Sequence, residues 1–127
     1  MPRFPELERF AAEQALRNVR LRLVYNFIKR GGDPPVYTRF LLNFVPGIYS
    51  ALNNVLELNG QTIPNGREAQ RALFAATFGV DTSVLGELAQ LKRKPQPLGA
   101  SDLSAAHARL FTLVMSALAW LENRWRI

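Results

Sequence analysis

The stretch that decides the fold is SDLSAAHARLFTLVMSALAWLENRW, which runs from Ser101 to about Trp125. Ser101 provides a hydroxyl N-cap and Asp102 an acidic first turn, which satisfy free N–H groups and the positive end of the helix dipole. Apolar side chains, with one histidine among them, then recur at steps of three and four residues and so share one helix face. These are Leu103, His107, Leu110, Val114, Leu118, Leu121 and Trp125. The segment predicts one long helix.

The other side of this helix has small side chains. It carries Ser104, Ala105, Ala108, Thr112, Ser116 and Ala119. Small side chains let a second helix approach closely, so we expect this side to be covered as well. A helix that is apolar on one face and narrow on the other suits the centre of a bundle.

A second long helix is predicted from Pro5, at its first position, to Arg30, where Gly31-Gly32 stops it. At ~100° per residue it carries two apolar stripes on nearly opposite sides. One stripe is Leu16, Val19, Leu23 and Phe27, and the other is Phe10, Leu21, Val24 and Ile28. A surface helix needs only one apolar stripe. The second therefore predicts a helix that is sandwiched inside the domain or shared with a partner chain.

The middle of the chain predicts further helices. Val36 to Leu58 is strongly apolar, and Pro46 within it predicts either a kink or two separate helices. A capping box at Asn65–Glu68 opens another helix that ends at Gly79, and Asp81 caps a short one after it. No run of alternating β-branched residues is long enough for a strand. The fold class is therefore all-α, a bundle of four to six helices with long first and last members.

Length and composition narrow the possibilities. The 127 residues make a single domain spanning the whole chain, and 48% of them are hydrophobic. Without an apolar stretch near ~20 residues or a signal-peptide core, we expect a soluble, cytoplasmic protein that does not bind membranes. Zero cysteines exclude disulfides and thiolate metal sites, and the single histidine excludes a multi-histidine site within one chain. No metal and no cofactor are predicted.

The net charge of +6, with 13 Arg against 3 Lys, favours contact with phosphates or other anions. Two basic clusters stand out, and they are Arg17, Arg20 and Arg22 on helix one and Lys92, Arg93 and Lys94 in a loop. Such clusters predict RNA binding that is indifferent to sequence, because no base-reading motif accompanies them. Solvated helix faces explain the same charges equally well.

His107 is the one residue that invites a catalytic or phosphotransfer role. Histidine phosphotransfer helices keep the imidazole accessible, whereas here the large side chains of Leu110 and Phe111 follow it. A histidine inside an apolar stripe is more often a hydrogen-bonded core residue. The sequence therefore predicts a structural histidine and no catalytic residues.

Residues 85–122, from Leu-Gly-Glu-Leu-Ala-Gln-Leu-Lys-Arg-Lys-Pro to Ala-Trp-Leu-Glu, resemble the second half of the HEPN family. The shared features are a leucine-rich short helix with a basic end, a loop, and a long final helix ending in an aromatic residue. The resemblance implies an all-helical bundle, often dimeric, whose members include ribonucleases and partners of small nucleotidyltransferases. Ribonucleases of the family carry an Arg followed after four to six residues by His. Arg93 is followed at those distances by Leu98, Gly99 and Ala100, so the ribonuclease motif is missing.

Together these features predict a non-enzymatic helical interaction module that is homodimeric or a small subunit of a larger assembly. Helix one and the Val36–Leu58 segment are the candidate contact surfaces, with the stripe of Phe10, Leu21, Val24 and Ile28 as the interface. The alternative prediction is an RNA-binding protein that uses the two basic clusters.

Overall fold

The computed structural model describes residues 5–125. It contains five helices, α1 (Pro5–Arg30), α2 (Pro34–Leu58), α3 (Arg67–Phe78), α4 (Ser83–Arg93) and α5 (Ala100–Trp125). No strand occurs in this range. The predicted all-α bundle with long first and last helices is confirmed.

The three long helices form the frame of the bundle. α1 packs against both α2 and α5 and runs antiparallel to each of them. Asp33 caps α2, since its Oδ1 accepts a hydrogen bond from the Val36 N–H at 3.5 Å. Pro34 and Pro35 then occupy the first helical positions, where no N–H is needed. The short helices α3 and α4 close the bundle against α5.

α2 is one continuous helix that contains Pro46, so the predicted alternative of two separate helices is wrong. Proline in a helix interior costs ~3 kcal/mol, because it removes a hydrogen bond and crowds the preceding turn. Pro46 itself is exposed, but the turns that follow it bury Ile48, Tyr49 and Leu52. Burying each such side chain is worth ~1.5–3 kcal/mol, which more than offsets the cost of the proline.

The predicted caps of the shorter helices are partly wrong. The N-cap of α3 is Gly66, with φ of 89° and no side-chain hydrogen bond, so Asn65 and Glu68 do not form the predicted capping box. A positive φ suits glycine, which has no Cβ to strain the backbone there. At α4, Asp81 lies just before the cap, and its Oδ1 accepts the Ser83 N–H at 3.0 Å. The predicted end of α3 at Gly79, in the left-handed conformation with φ of 64°, is confirmed.

The start of α5 also differs from the prediction by one residue. The helix begins at Ala100, and Oδ2 of Asp102 accepts the Gly99 N–H at 3.3 Å. Ser101 therefore lies inside the first turn and is not the cap. Asp102 satisfies an otherwise free N–H group and places a negative charge at the positive end of the helix dipole.

The core lies between α1, α2 and α5 and extends to α3 and α4. Its largest enclosed side chains include Leu16, Leu23, Tyr37, Leu41, Leu52, Leu56, Phe74, Leu85, Leu110 and Leu113. The predicted apolar face of α5 is buried at Leu103, Leu110, Val114, Leu118 and Leu121. The side chain of Trp125 lies outside the described residues.

The opposite side of α5 stays open to solvent in this chain. Its small residues Ser104, Ala105, Ala108, Thr112 and Ala119 are exposed, and Ser116 is half-buried. The expectation that a second helix covers this side is therefore wrong within the described residues, because the helices that contact α5 bury its apolar face instead. The bundle is built on one broad face of α5.

By length and composition alone, Ala100–Arg124 could cross a membrane, with a mean hydropathy of 1.2 over its most apolar window. The expectation that no stretch of the chain is long and apolar enough to span a membrane is wrong by this criterion. The apolar side chains responsible are largely those that pack into the bundle core, as at Leu110 and Val114. A core helix with this composition passes the same test as a membrane span.

Candidate interaction surface

The two apolar stripes of α1 differ in solvent exposure. Leu16, Val19 and Leu23 are buried against the rest of the bundle, and Phe27 packs against the core. On the opposite side, three of the four predicted interface residues are largely exposed: Phe10 by 64%, Leu21 by 66% and Ile28 by 78%. The fourth, Val24, is half-buried. Residues 5–125 by themselves do not cover this stripe.

The structure extends the stripe by two residues that the sequence analysis missed. Leu7 is exposed by 64% and Tyr25 by 55%, and both lie on the same side of α1. Lys29 contacts Tyr25, because its Nζ donates a hydrogen bond to the phenol oxygen at 3.1 Å. We call the set of Leu7, Phe10, Leu21, Val24, Tyr25 and Ile28 the outward stripe. A search for steps of three and four residues beyond Phe10 would have found Leu7.

Polar contacts border the outward stripe on the side of α5. Arg17 donates hydrogen bonds to Glu13 at 2.8 Å and to Glu122 of α5 at 2.9 Å. The neighbouring Arg20 donates to Sδ of Met115 at 3.4 Å, and Met115 is itself partly exposed. Exposed ion pairs of this kind add little stability. Their effect here is to fix the charged groups beside the apolar side chains.

The predicted basic cluster on α1 does not form one surface. Arg17 and Arg20 point towards α5, whereas the guanidinium of Arg22 lies over the Phe44 ring of α2, 5.0 Å from its centroid. Two residues along a helix correspond to a rotation of ~200°, which separates Arg20 from Arg22. The three arginines therefore cannot bind one phosphate chain together.

The second predicted cluster sits at the end of α4. Lys92 and Arg93 belong to its last turn and Lys94 is its C-cap residue, and all three are exposed. Positive charges at this place stabilise the negative end of the helix dipole. Their position thus agrees with the solvated-face interpretation that the sequence left open.

A basic groove that the sequence did not predict lies between α1 and α2. It encloses about 300 Å³ and is lined by Arg22, Arg30, Val36, Arg39, Phe40, Asn43 and Phe44. The rings of Phe40 and Phe44 stack at 4.9 Å within it. Among the described residues, none of these three arginines has an acidic partner. The groove combines guanidinium groups that have no acidic partner among the described residues with aromatic side chains.

His107 is packed and hydrogen-bonded, as predicted, although its ring is half-buried rather than fully enclosed. Its Nδ1 lies 2.8 Å from the hydroxyl oxygen of the buried Tyr37, and its ring stacks on Phe27 with centroids 4.0 Å apart. Burial lowers the pKa of His107 and raises the pKa of Tyr37 well above its ordinary value. Both groups are therefore neutral near pH 7, and one donates its proton to a hydrogen bond with the other.

No protein-family model, no curated protein and no solved structure matches this chain. The resemblance of residues 85–122 to the HEPN family stays a prediction. Within residues 5–125, no group of three or more His, Cys, Asp or Glu side chains is placed to hold a metal ion. Function has to be argued from the surfaces that the chain presents.

Proposed function

We propose that this protein is a non-enzymatic helical interaction module, homodimeric or a small subunit of a larger assembly, and that the outward stripe of α1 is its contact surface. The observation that carries the proposal is the exposure of Phe10, Leu21 and Ile28 on one face of a helix whose other face is already buried. Large exposed apolar patches with a polar border mark interaction sites. The outward stripe forms two such groups on one face of α1, separated by Gln14 and Arg17.

The exposed side chains of the outward stripe can contribute free energy to the binding of a partner. Burying one large apolar side chain contributes ~1.5–3 kcal/mol relative to leaving it in water. Most of that free energy would still be gained on burying Phe10, Leu21 and Ile28, because more than half of each side chain is in contact with solvent. A partner that covers the stripe gains several kcal/mol, and no rearrangement of the bundle core is required.

The test is the molar mass in solution, compared between the wild type and a variant of the stripe. Leu21→Glu places a charge in the middle of the proposed contact, and we expect it to abolish association. Ala72→Glu, at an exposed position of α3, is the matched control, because it adds the same charge to a helix outside the stripe. Association that survives Leu21→Glu, or that Ala72→Glu also abolishes, would contradict the proposal.

A second candidate function is sequence-nonspecific RNA binding, and the groove between α1 and α2 supports it. Arg22, Arg30 and Arg39 supply positive charge without an acidic partner among the described residues. The half-buried Phe40 supplies a ring on which a base can stack, whereas Phe44 is buried and its ring already carries the guanidinium of Arg22. This candidate shares only Arg22 with the clusters that the sequence indicated.

The groove and the α4 cluster can be separated by fluorescence anisotropy with a short single-stranded RNA at low salt. If RNA binds in the groove, Arg39→Glu should weaken it at least ~10-fold, while replacement of Lys92, Arg93 and Lys94 by Ala should have a small effect. The reverse ranking would assign RNA to the α4 cluster. No binding at ~50 mM salt would remove this candidate.

A further inference from the structure

Resting on the proposed function, we infer that the outward stripe binds the same stripe of a second copy of this chain, with the two α1 helices antiparallel. The inference adds the identity of the partner, the direction of the two helices and the register between them.

The spacing of the outward face of α1 is that of a coiled-coil seam. Seven positions follow alternating steps of three and four residues without interruption, and they are Leu7, Phe10, Gln14, Arg17, Leu21, Val24 and Ile28. All seven are exposed or half-buried in the single chain. A seam with a period of 3.5 residues suits a second helix that lies along it. The spacing therefore favours a long helix as the occupant, and α1 itself is such a helix.

Two polar residues in the middle of the seam define a register. In an antiparallel pair, each first position of a heptad packs beside the fourth position of a partner heptad. One register matches the layers from position 7 to position 24 in polarity: Leu7 with the partner's Val24, Phe10 with the partner's Leu21, and Gln14 with the partner's Arg17. In this register Ile28 faces a position of the partner that lies outside the described residues. A shift by one heptad would place Arg17 against the partner's Leu21 and bury its charge in an apolar layer.

Charge along α1 favours the antiparallel direction. The first half carries Glu6, Glu8 and Glu13 together with Arg9 and Arg17, whereas the charged residues of the second half are all basic: Arg20, Arg22, Lys29 and Arg30. In the matched register Glu13 flanks the seam beside the partner's Arg20, and the symmetry of the dimer repeats this contact. A parallel pair would instead bring each Arg17 against Arg17 of the partner subunit and align the two basic second halves.

The area available is close to what a stable dimer needs. A large apolar side chain carries ~100–200 Å², so the five exposed by 55–78% on α1 offer ~500 Å² on each copy. Gln14 within the seam and Arg20 beside it add polar area. A specific interface buries ~800 Å² per partner, which a contact along most of a 26-residue helix can approach.

The test uses introduced cysteines, because the chain has none of its own. Leu7→Cys and Val24→Cys chains are prepared separately and then mixed under mild oxidation. In the antiparallel register the two cysteines face each other only in the mixture, whereas two copies of Cys at position 7 lie ~26 Å apart along the helix. A disulfide requires Cα atoms within ~7 Å. We expect cross-linked dimer in the mixture and little in either variant alone.

A charge exchange gives an independent readout. Glu13→Arg alone and Arg20→Glu alone should each raise the dimer Kd ~10-fold, because each places like charges beside the seam. The variant with both substitutions should bind more tightly than either single variant, since the contact is re-formed with opposite sign, even though Arg17 loses its Glu13 partner within the chain. Failure of the double variant to recover affinity would overturn the inferred register.

The outcomes separate this inference from the proposed function. Cross-linking of Leu7→Cys with itself would establish a parallel pair and overturn the inference, while the stripe would remain a contact surface. A wild type that stays monomeric but binds a different protein through Leu21 would likewise overturn only the inference. A wild type that neither self-associates nor depends on Leu21 for any complex would overturn both.

Discussion

Tyr37 and His107 should behave as one energetic unit, and the pair allows a quantitative test of how the core is held together. The substitutions are Tyr37→Phe, which removes the hydroxyl, and His107→Phe, which removes Nδ1 but keeps a flat ring to stack on Phe27. The hydrogen bond measures 2.8 Å, Tyr37 is fully buried, and the two rings of His107 and Phe27 stack at 4.0 Å. The perturbation is therefore confined to one polar contact.

The expected magnitudes follow from the burial of each partner. Tyr37→Phe should lower the free energy of unfolding by ~1–1.5 kcal/mol, because one net hydrogen bond is lost and Nδ1 remains half open to water. His107→Phe should cost more, ~1–3 kcal/mol, since it leaves the Tyr37 hydroxyl buried without a partner. The double variant should lose less than the sum of the two, giving a coupling of ~1–2 kcal/mol.

The assay is urea unfolding followed by far-ultraviolet circular dichroism, at pH 7.5 and one fixed protein concentration so that association does not vary. Linear extrapolation gives the four free energies of the cycle. In thermal unfolding, each kcal/mol corresponds to a shift of ~3–5 °C for a domain of this size. If the two substitutions are additive to within ~0.3 kcal/mol, the hydrogen bond contributes nothing specific and the reasoning is refuted.

The pH dependence of the same protein gives a second readout. Burial lowers the pKa of His107 in the folded state, whereas in the unfolded chain it is ~6.5. Between the lowered value and ~6.5 the unfolded chain binds more protons, so this group contributes a loss of stability as the pH falls below ~6.5. His107→Gln should lower stability by ~1–2 kcal/mol at pH 7.5 and should remove this pH-dependent contribution. An unchanged pH profile in His107→Gln would contradict the assignment.

Three further predictions concern other parts of the bundle. Arg109 donates hydrogen bonds to Glu87 at 2.6 and 2.8 Å and so ties α5 to α4. Arg109→Met should lower the free energy of unfolding by only ~0.5 kcal/mol, because Glu87 is exposed and Arg109 is partly exposed. The Arg109 hydrogen bond lowers the pKa of Glu87, so this contribution should be present above pH ~4.3 and lost as the pH falls through the lowered pKa; urea unfolding at pH 7 and pH 3 checks both statements. Gly79→Ala should cost ~1 kcal/mol by thermal unfolding, since φ is 64° there although no side chain obstructs a Cβ. If RNA binds through the α4 cluster, replacing Lys92–Lys94 by Ala should reduce the salt dependence of affinity by up to about three phosphate contacts, and an unchanged slope would exclude that cluster.

The long helices could be predicted from the sequence because their signals are local. Gly31 and Gly32 mark the end of α1, and the repeat from Leu103 to Leu121 marks the buried face of α5. The interior position of Pro46 could not be decided in the same way. Whether a helix continues through proline depends on what its next turns bury, and Ile48 and Leu52 have their partners on other helices.

The candidate surfaces also differ in whether they depend on one helix or on the packing of two helices. The exposed stripe at Phe10, Leu21 and Ile28 follows from periodicity within one helix, and the structure places it where the pattern indicated. The basic groove cannot be predicted from periodicity within one helix, because Arg30 and Arg39 lie on different helices and come together only through the packing of α1 on α2. Neighbouring positions in sequence suggested a cluster of Arg20 and Arg22 that the rotation of the helix separates.

Sedimentation equilibrium of the wild type and of Leu21→Glu, from ~1 to ~200 µM, tests most directly whether the outward stripe joins two copies of this chain. We expect the wild type to approach twice the 14.3 kDa mass of one chain as concentration rises, and Leu21→Glu to remain at 14.3 kDa throughout. Circular dichroism of the variant should retain the helical content of the wild type, which shows that the bundle is folded. A wild type that stays at 14.3 kDa at the highest concentration, or a Leu21→Glu variant that associates as strongly as the wild type, would contradict the account.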